Sequence, residues 1–257
     1  MEVEIVGDGE PEYAVMGLIH GDEPCGKKAI QKLLSEDREF KKTVKFIIAN
    51  ERAWNQNKRF LEADLNRSFP GDPESDKYEE RLAAEIMNEI KGLKVFDMHS
   101  TRSHKGPFTT LSDLDPQKLK FCREAGAENI VHFPDENGTW SEFEEGIILE
   151  TGIQGTQEAA DRAYKSLVNF LAAEGVIDGD YKLSDPRMFV YQETVEGDWE
   201  FLGENFKKVK KGEVYARKGT EELKAEEEFY PVLMSTNGYE GQLGFKAERV
   251  DLEQELN

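Results

Sequence analysis

The chain has 257 residues, 38% of them hydrophobic, which is enough to enclose a sizeable core. Its formal net charge of −20 argues against binding to nucleic acid or to an anionic membrane, because the field of so many carboxylates repels phosphates. There is no apolar run of membrane-spanning length and no basic-then-apolar leader, so we expect a cytoplasmic protein.

The first predicted elements are a strand and a helix, joined by a turn that carries two polar residues. The apolar run at 14–19 indicates a buried strand, and Pro24 opens a helical pattern. His20 and Glu23 therefore lie in the turn between them, where both side chains can point at one ion. Gly21 is expected to adopt a backbone angle that a side chain would resist.

A second strand, a polar segment and a helix follow in chain order, at 44–49, 50–73 and 78–90. The polar segment is rich in Asn, Arg, Asp and Pro, and a long loop of this kind in a compact domain is usually functional or disordered. A buried strand at 94–98 then delivers His99 at its carboxyl end. Ligands bind at that end of the strands in open α/β sheets.

Two more strands and one helix complete the first part of the chain. The strands are predicted at 130–132 and 147–150 and the helix at 157–173. Strands that alternate with helices indicate an α/β layer sandwich with a mostly parallel sheet. Glu150 ends the last of these strands, and it could also cap the following helix, where an acidic group favours the helix dipole.

The region at 177–257 has a different pattern, with short strands and no helix of comparable length. Glycines and charged turns separate the candidate strands, which lie at 187–191, 214–216, 230–234 and 244–246. We therefore expect an α/β domain over residues 1–176 and a small β domain over residues 177–257. Tyr239 in the second domain could serve the site, or it could equally pack against a turn.

His20, Glu23 and His99 together supply two imidazoles and one carboxylate. This set suits zinc better than magnesium or calcium, which prefer oxygen ligands, and it leaves one position open for water. A histidine and a glutamate with HxxE spacing occur together often by chance when no other motif accompanies them. Its combination with Asp64-Leu65-Asn66-Arg67 and with Glu150 is much harder to explain by chance, and it indicates a metal-dependent hydrolase.

These segments resemble the succinylglutamate desuccinylase/aspartoacylase family, a branch of the zinc carboxypeptidase superfamily. The matching stretches keep the family's order over about two thirds of the chain and are HGDE at 20–23, RFLEADLNRSF at 59–69, DMHST at 97–101 and LETG at 149–152. The resemblance implies a zinc-carboxypeptidase-like layer sandwich. It also implies that the small C-terminal β domain borders the active-site entrance.

The resemblance further implies a role for each polar residue of these stretches. The residues that would hold one zinc ion per chain are His20, Glu23 and His99. Glu150 would be the general acid/base, and Arg59 would polarise the scissile carbonyl. Asn66 and Arg67 would grip a substrate carboxylate, and the planar guanidinium can do so with two parallel hydrogen bonds.

The implied reaction is hydrolysis of a linear amide bond, in which succinyl, acetyl or a similar acyl group is removed from an N-acyl amino acid. An amide is a poor electrophile, and zinc lowers the pKa of water to about 7 so that a strong nucleophile exists at neutral pH. Arg102 and Lys105 could neutralise a second carboxylate, such as that of a succinyl group, or they could be surface charges.

Two alternatives use the same residues. A metallocarboxypeptidase would apply the same chemistry to peptide C-termini, although an α/β part that ends near residue 176 is short for an extended peptide cleft. A non-catalytic relative would sense an acidic metabolite, and it would need neither Glu150 nor Arg59. The sequence leaves open the acyl group, the amino acid and the oligomeric state, with a homo-oligomer as one option.

Overall fold

The computed structural model describes residues 1–134, 138–236, 238 and 240–252. The helices of this part are α1 (Cys25–Leu34), α2 (Glu51–Asn55), α3 (Tyr78–Ile90), α4 (Pro116–Glu124) and α5 (Gln157–Ala173). The strands up to α5 are β1 (Glu2–Val6), β2 (Tyr13–Gly17), β3 (Val44–Ile48), β4 (Lys94–Thr101), β5 (Phe108–Leu111), β6 (Asn129–His132) and β7 (Gly146–Ile153). The later strands are β8 (Arg187–Glu196), β9 (Glu200–Phe201), β10 (Val214–Lys218), β11 (Glu221–Lys224), β12 (Tyr230–Val232) and β13 (Gln242–Val250).

Ten of these strands form one sheet, in the order β1-β3-β2-β4-β7-β5-β6-β8-β13-β12. The pairs from β3 through β2 and β4 to β7 are parallel, as are β5–β6 and β6–β8. The pairs β1–β3, β7–β5, β8–β13 and β13–β12 are antiparallel. The expected α/β fold with a mixed, mostly parallel sheet is confirmed, and antiparallel strands lie at both edges.

Most of the predicted elements occur, with some ends displaced. Helices α3 and α5 have the predicted bounds. Strands β4 and β7 continue past the residues at which they were expected to end, so His99 and Glu150 lie inside strands. Strand β2 ends earlier, three residues before His20. The sequence analysis did not identify β1, β5, α2 or α4, and α2 opens the segment that was expected to be a loop.

Apolar side chains cover both faces of the large sheet. Helices α1 and α5 pack on one face, where Val15 of β2 and Phe96 of β4 belong to the same buried cluster as Phe170. Helix α3 packs on the other face, together with Met16 and Val95. Because β2 is buried on both faces, its sequence is a continuous apolar run rather than an alternating pattern.

The C-terminal part of the chain contributes to two sheets. Strands β8, β13 and β12 extend the large sheet beyond β6, whereas β9, β10 and β11 form a separate three-stranded sheet. The division into two domains at residue 176 stays a prediction, and Tyr239 lies outside the described residues.

Over the described ranges, we find no helix with the length and apolar character needed to cross a membrane.

A buried carboxylate, that of Glu174, lies at the amino ends of β2 and β4 between partly exposed lysines. The carboxylate of Glu174 accepts a hydrogen bond from the Tyr13 hydroxyl at 2.7 Å, contacts the Lys120 ammonium and lies 3.4 Å from Lys94 Nζ. Burial opposes ionisation of Glu174, but the hydrogen bonds from Lys120 and Tyr13 outweigh it and lower the pKa of this carboxyl group to about 2.

Replacing Glu174 by Gln is expected to cost about 2 to 3 kcal/mol of unfolding free energy at pH 7. Because the pKa of Glu174 is lower in the folded chain than the ordinary value of 4.5, its stabilising contribution is present above that value and is lost as the pH falls toward 2. Denaturant unfolding of both proteins between pH 7 and pH 2 measures the difference. Glu227→Gln, at an exposed site, serves as the control, and a Glu174→Gln effect that does not change with pH would contradict the prediction.

Candidate metal and catalytic site

The turn after β2 brings His20 and Glu23 into the interior. Leu18 follows the strand with φ = 66°, a left-handed conformation that changes the direction of the chain. His20 and Glu23 are only 2% and 3% exposed, and His20 Nδ1 lies 3.0 Å from Glu23 Oε1. Helix α1 begins directly afterwards, at Cys25, so both side chains lie in the expected strand-to-helix turn.

Glycine is needed at position 21 because neighbouring backbone atoms leave no room for a side chain. Its φ is not positive, so the expectation of an unusual backbone angle was wrong. A Cβ atom at this position would lie 2.4 Å from the backbone nitrogen of Trp54 and 2.5 Å from the carbonyl oxygen of Lys58. The Gly21 N–H donates to the carbonyl oxygen of Arg59 at 2.9 Å, so the polar segment after α2 packs directly on the turn.

Strand pairing places the second histidine and the second glutamate beside the first pair. Strand β4 pairs in parallel with both β2 and β7, and His99 on β4 is the neighbour of Glu150 on β7. His99 Nδ1 lies 3.4 Å from Glu23 Oε2. The possible ligand atoms of His20, Glu23 and His99 all lie within 4.8 Å of one another, so these three side chains could hold a metal ion.

Each imidazole is oriented by a carboxylate on its other ring nitrogen. Asp64 Oδ1 lies 3.0 Å from His20 Nε2, and Asp97 Oδ2 lies 3.0 Å from His99 Nε2. Asp97 is fully buried and also accepts a hydrogen bond from the indole N–H of Trp140 at 2.9 Å. Both Nδ1 atoms therefore face the shared glutamate, in the manner in which metal-ligating histidines are commonly held.

The charges of this cluster fit a divalent cation. Burial opposes ionisation of Glu23, but His20 and His99 hold the pKa of its carboxyl group well below the ordinary value. Burial likewise opposes charging of the imidazoles, yet Glu23 raises the pKa of His20 and Asp97 raises that of His99. His20 Nδ1 is buried and lies 3.0 Å from Glu23 Oε1, but at angles that do not make a regular hydrogen bond. Two imidazoles and an ionised carboxylate are a donor set that zinc accepts.

From the sequence, Asp97 was assigned no role, and Asp64 was counted within the Asp64–Arg67 element without a role of its own. Asp64 does cap the short 3₁₀ helix Leu65–Arg67, since it accepts from the Asn66 backbone N–H at 2.9 Å, but it also holds His20. A signal for Asp97 was available in its spacing. Residues two apart on a strand share a face, so Asp97 and His99 had to point the same way.

Glu150 lies in the same cavity, and one of its carboxylate oxygens is available to a ligand. Its Oε2 is shielded from solvent and makes no hydrogen bond to any described residue. Burial, reinforced by the negative charge of Glu23, raises the pKa of Glu150 to about 7. Its alternative role as a helix cap is not found, because Thr156 caps α5 by accepting from the Ala159 N–H at 3.2 Å. A carboxyl group with this pKa can accept and return a proton near neutral pH.

All seven residues predicted for the site line one cavity of about 550 Å³, namely His20, Glu23, Arg59, Asn66, Arg67, His99 and Glu150. Arg59 Nη1 donates to Glu23 Oε1 at 2.6 Å, which puts this guanidinium beside the possible ligands. Arg67 Nη1 donates to the carbonyl oxygen of Asn66 at 2.7 Å. Arg102 and Lys105 are not among the residues that line the cavity, and Arg102 instead pairs with Asp22 at 3.3 Å.

The C-terminal strands complete the wall of this cavity. The lining residues that they and their connections contribute are Tyr191, Thr194, Leu233, Gln242 and Phe245. These residues reach the cavity because β8 and β13 belong to the same sheet as the strands that carry His99 and Glu150. The region after residue 176 therefore borders the site directly.

The sequence matches the family model described as succinylglutamate desuccinylase/aspartoacylase catalytic domain over residues 10–165. It is 30% identical to a probable aspartoacylase of Prochlorococcus marinus over 145 residues, which are 51% of this chain and 47% of that protein. It is also 30% identical to an N-acyl-aromatic-L-amino acid amidohydrolase (carboxylate-forming) of Xenopus laevis over 109 residues, which are 37% of this chain and 36% of that protein. The matches thus span about half the length of these curated relatives or less.

Solved structures show the same fold over nearly the whole chain. A succinylglutamate desuccinylase/aspartoacylase from Rhodobacter sphaeroides superposes with a TM-score of 0.80 at 21% identity and covers 97% of this chain and 89% of its own. Murine aminoacylase 3 superposes with a TM-score of 0.74 at 20% identity and covers 95% of this chain and 97% of its own.

Replacing Asp97 by Asn is expected to weaken the binding of a divalent metal about 10- to 100-fold, because the amide orients the His99 ring less firmly. Competition with a chromophoric chelator measures the affinity. Glu124→Gln, at a buried carboxyl group on α4 outside the cavity, should bind metal like the wild type. An unchanged affinity in a folded Asp97→Asn protein would contradict the proposed orienting role.

Proposed function

Because the chain belongs to the succinylglutamate desuccinylase/aspartoacylase family, we propose that it is a zinc-dependent amidohydrolase that removes a small acyl group from an N-acyl amino acid. The observation that carries this proposal is the convergence of His20, Glu23 and His99 with Glu150 in one cavity. The names of the relatives support the substrate class, since they include aspartoacylase, N-acyl-aromatic-L-amino acid amidohydrolase and succinylglutamate desuccinylase.

The metal would be held by His20 Nδ1, His99 Nδ1 and the carboxylate of Glu23. Zinc in such a site supplies Lewis-acid chemistry, since it polarises a carbonyl group and lowers the pKa of water to about 7. The carboxylates behind the two rings keep both Nδ1 atoms in place. Arg59 adds a fixed positive charge next to Glu23, where it can stabilise a developing oxyanion, and loss of a comparable donor costs roughly 3 to 4 kcal/mol of barrier.

Glu150 would move the proton in both halves of the reaction. Its Oε2 has no competing hydrogen bond within the described structure, so it can take a proton from the attacking water. The same oxygen can then pass that proton to the departing nitrogen, which would otherwise have to leave as an amide anion. One carboxylate thus serves both steps.

Arg67 and Asn66 would bind the α-carboxylate of the substrate. The guanidinium is planar and can donate two parallel hydrogen bonds to a carboxylate, and the neighbouring amide adds a neutral donor. Both residues line the cavity that holds the possible metal ligands, so a substrate held there by its carboxylate can extend toward Glu150.

An amine-release assay of the zinc-loaded protein tests the proposal. The panel contains acetyl and succinyl derivatives of several amino acids together with short peptides. We expect hydrolysis of N-acyl amino acids that is lost on chelation and restored by zinc. Cleavage confined to peptide C-termini would replace this function by that of a metallocarboxypeptidase, and ligand binding without metal or turnover would indicate a binding protein.

Replacing Glu150 by Ala is expected to lower kcat by about 10²- to 10⁴-fold while zinc stays bound, because only the proton carrier is removed. Turnover and metal content are measured on the same preparation. The control is Glu145→Ala, at an exposed acid on the approach to the same strand. Turnover at the wild-type rate in the Glu150→Ala protein would refute the assigned role.

Replacing Arg67 by Lys is expected to raise KM roughly 10- to 100-fold with a smaller effect on kcat. The ammonium keeps the charge but loses the second, parallel hydrogen bond to the substrate carboxylate. Steady-state kinetics separate the two constants. Arg249→Lys, outside the cavity, should behave like the wild type, and a loss confined to kcat in the Arg67→Lys protein would argue against a substrate-binding role.

A further inference from the structure

The cavity has two chemically different sides. Among the described residues, the acidic, basic and imidazole side chains that line it come from the first 150 positions and are His20, Glu23, Arg59, Asp64, Arg67, His99 and Glu150. The lining residues that come from the described part of 177–252 are uncharged and are Tyr191, Thr194, Leu233, Gln242 and Phe245. The reacting groups and the C-terminal wall therefore present different surfaces to a substrate.

Three aromatic rings form a continuous surface on the second side. Phe133 directly follows β6, Tyr191 lies on β8 and Phe245 lies on β13, and these three strands are consecutive in the sheet. Their ring centroids are 5.4 Å, 5.1 Å and 5.8 Å apart, so each ring contacts the other two. Ile148 and Leu233 add aliphatic surface to the same cavity.

The three rings remain partly exposed, and the hydroxyl of Tyr191 is their only polar group. Phe133, Tyr191 and Phe245 are each intermediate in burial, although they line a concave site. The Tyr191 hydroxyl is already hydrogen-bonded to Thr194 Oγ1 at 3.1 Å. Contact between these rings and an apolar group of a ligand is favourable, because it removes the surface of the rings and that of the ligand group from water.

This side of the cavity offers no cationic partner to a second carboxylate among the described residues. Along the described strands β6, β8 and β13, no lysine or arginine lines the cavity. Lys246 on β13 lies instead over the rings of Tyr215 and Phe229, and Arg102 is held by Asp22 outside the cavity. A carboxylate placed against the aromatic rings would lose hydration without gaining an ion pair.

We propose that Phe133, Tyr191 and Phe245 select substrates that carry one carboxylate and one apolar group, an inference that rests on the proposed function. The carboxylate binds Arg67, and the apolar group lies against the three rings. This group can be the side chain of the amino acid or the acyl chain, since either presents the same hydrocarbon surface. Dicarboxylic substrates are poor, although some relatives are named aspartoacylase or succinylglutamate desuccinylase.

Two substrate series on the zinc-loaded wild-type protein test the selectivity. The first keeps acetyl constant and varies the amino acid through Gly, Leu, Phe, Asp and Glu. The second keeps leucine constant and varies the acyl group through acetyl, butyryl, benzoyl and succinyl. We expect kcat/KM for the apolar members to exceed that for the acidic members by about tenfold or more in at least one series.

Variants of the wall test whether the rings are responsible. Phe245→Ala and Tyr191→Ala are expected to lower kcat/KM for the preferred apolar substrate about tenfold, and to lower it much less for N-acetylglycine, which offers the rings only a methyl group. Phe245→Arg should raise the relative rate with acidic substrates. Tyr181→Ala removes a ring that is 54% exposed and outside the cavity, so it should change neither rate.

The outcomes separate this inference from the proposed function. Preference for acidic members in both series, or equal rates throughout, overturns the inference while the hydrolase remains. If no N-acyl amino acid is hydrolysed, the proposed function fails, and calorimetric binding to the zinc-loaded Glu150→Ala protein decides the inference alone. Tighter binding of N-acetylphenylalanine than of N-acetylaspartate supports the inference, and the reverse order overturns it.

Discussion

A single buried carboxylate, that of Glu23, holds the site together. Its two oxygens meet His20 Nδ1 at 3.0 Å, Arg59 Nη1 at 2.6 Å, the backbone N–H of Ser100 at 3.1 Å and His99 Nδ1 at 3.4 Å. An ionised carboxylate that is 3% exposed is costly unless such partners surround it. Three segments distant in sequence are therefore held at fixed positions around one group.

The chain as a whole is strongly negative, but two arginines line the cavity. The net charge of −20 opposes the approach of an anionic substrate, but surface charges are screened by salt over about 10 Å. Inside the cavity, Arg59 and Arg67 act at short range, and a divalent cation would add to them. Local cations can thus attract a carboxylate that the outer field repels.

One sheet carries both the proposed reacting groups and the aromatic rings. Strands β4 and β7 hold His99 and Glu150, and the sheet continues through β5 and β6 to β8 and β13. Because hydrogen-bonded strands keep a constant spacing, the distance between the reacting groups and the rings is fixed by the sheet rather than by a hinge. Changes on the C-terminal strands can therefore alter selectivity without moving the groups that carry the proposed chemistry.

The sequence by itself determined the ligand types, the motif order and the strongly periodic helices, because residue chemistry and helical periodicity are local properties. Only the tertiary structure decided which residues support that chemistry. The tight space around Gly21, the contact of Asp64 with His20, and the cluster of Phe133, Tyr191 and Phe245 all join segments that lie far apart in the chain. The register of strands far apart in the chain sets these contacts, and no local pattern records it.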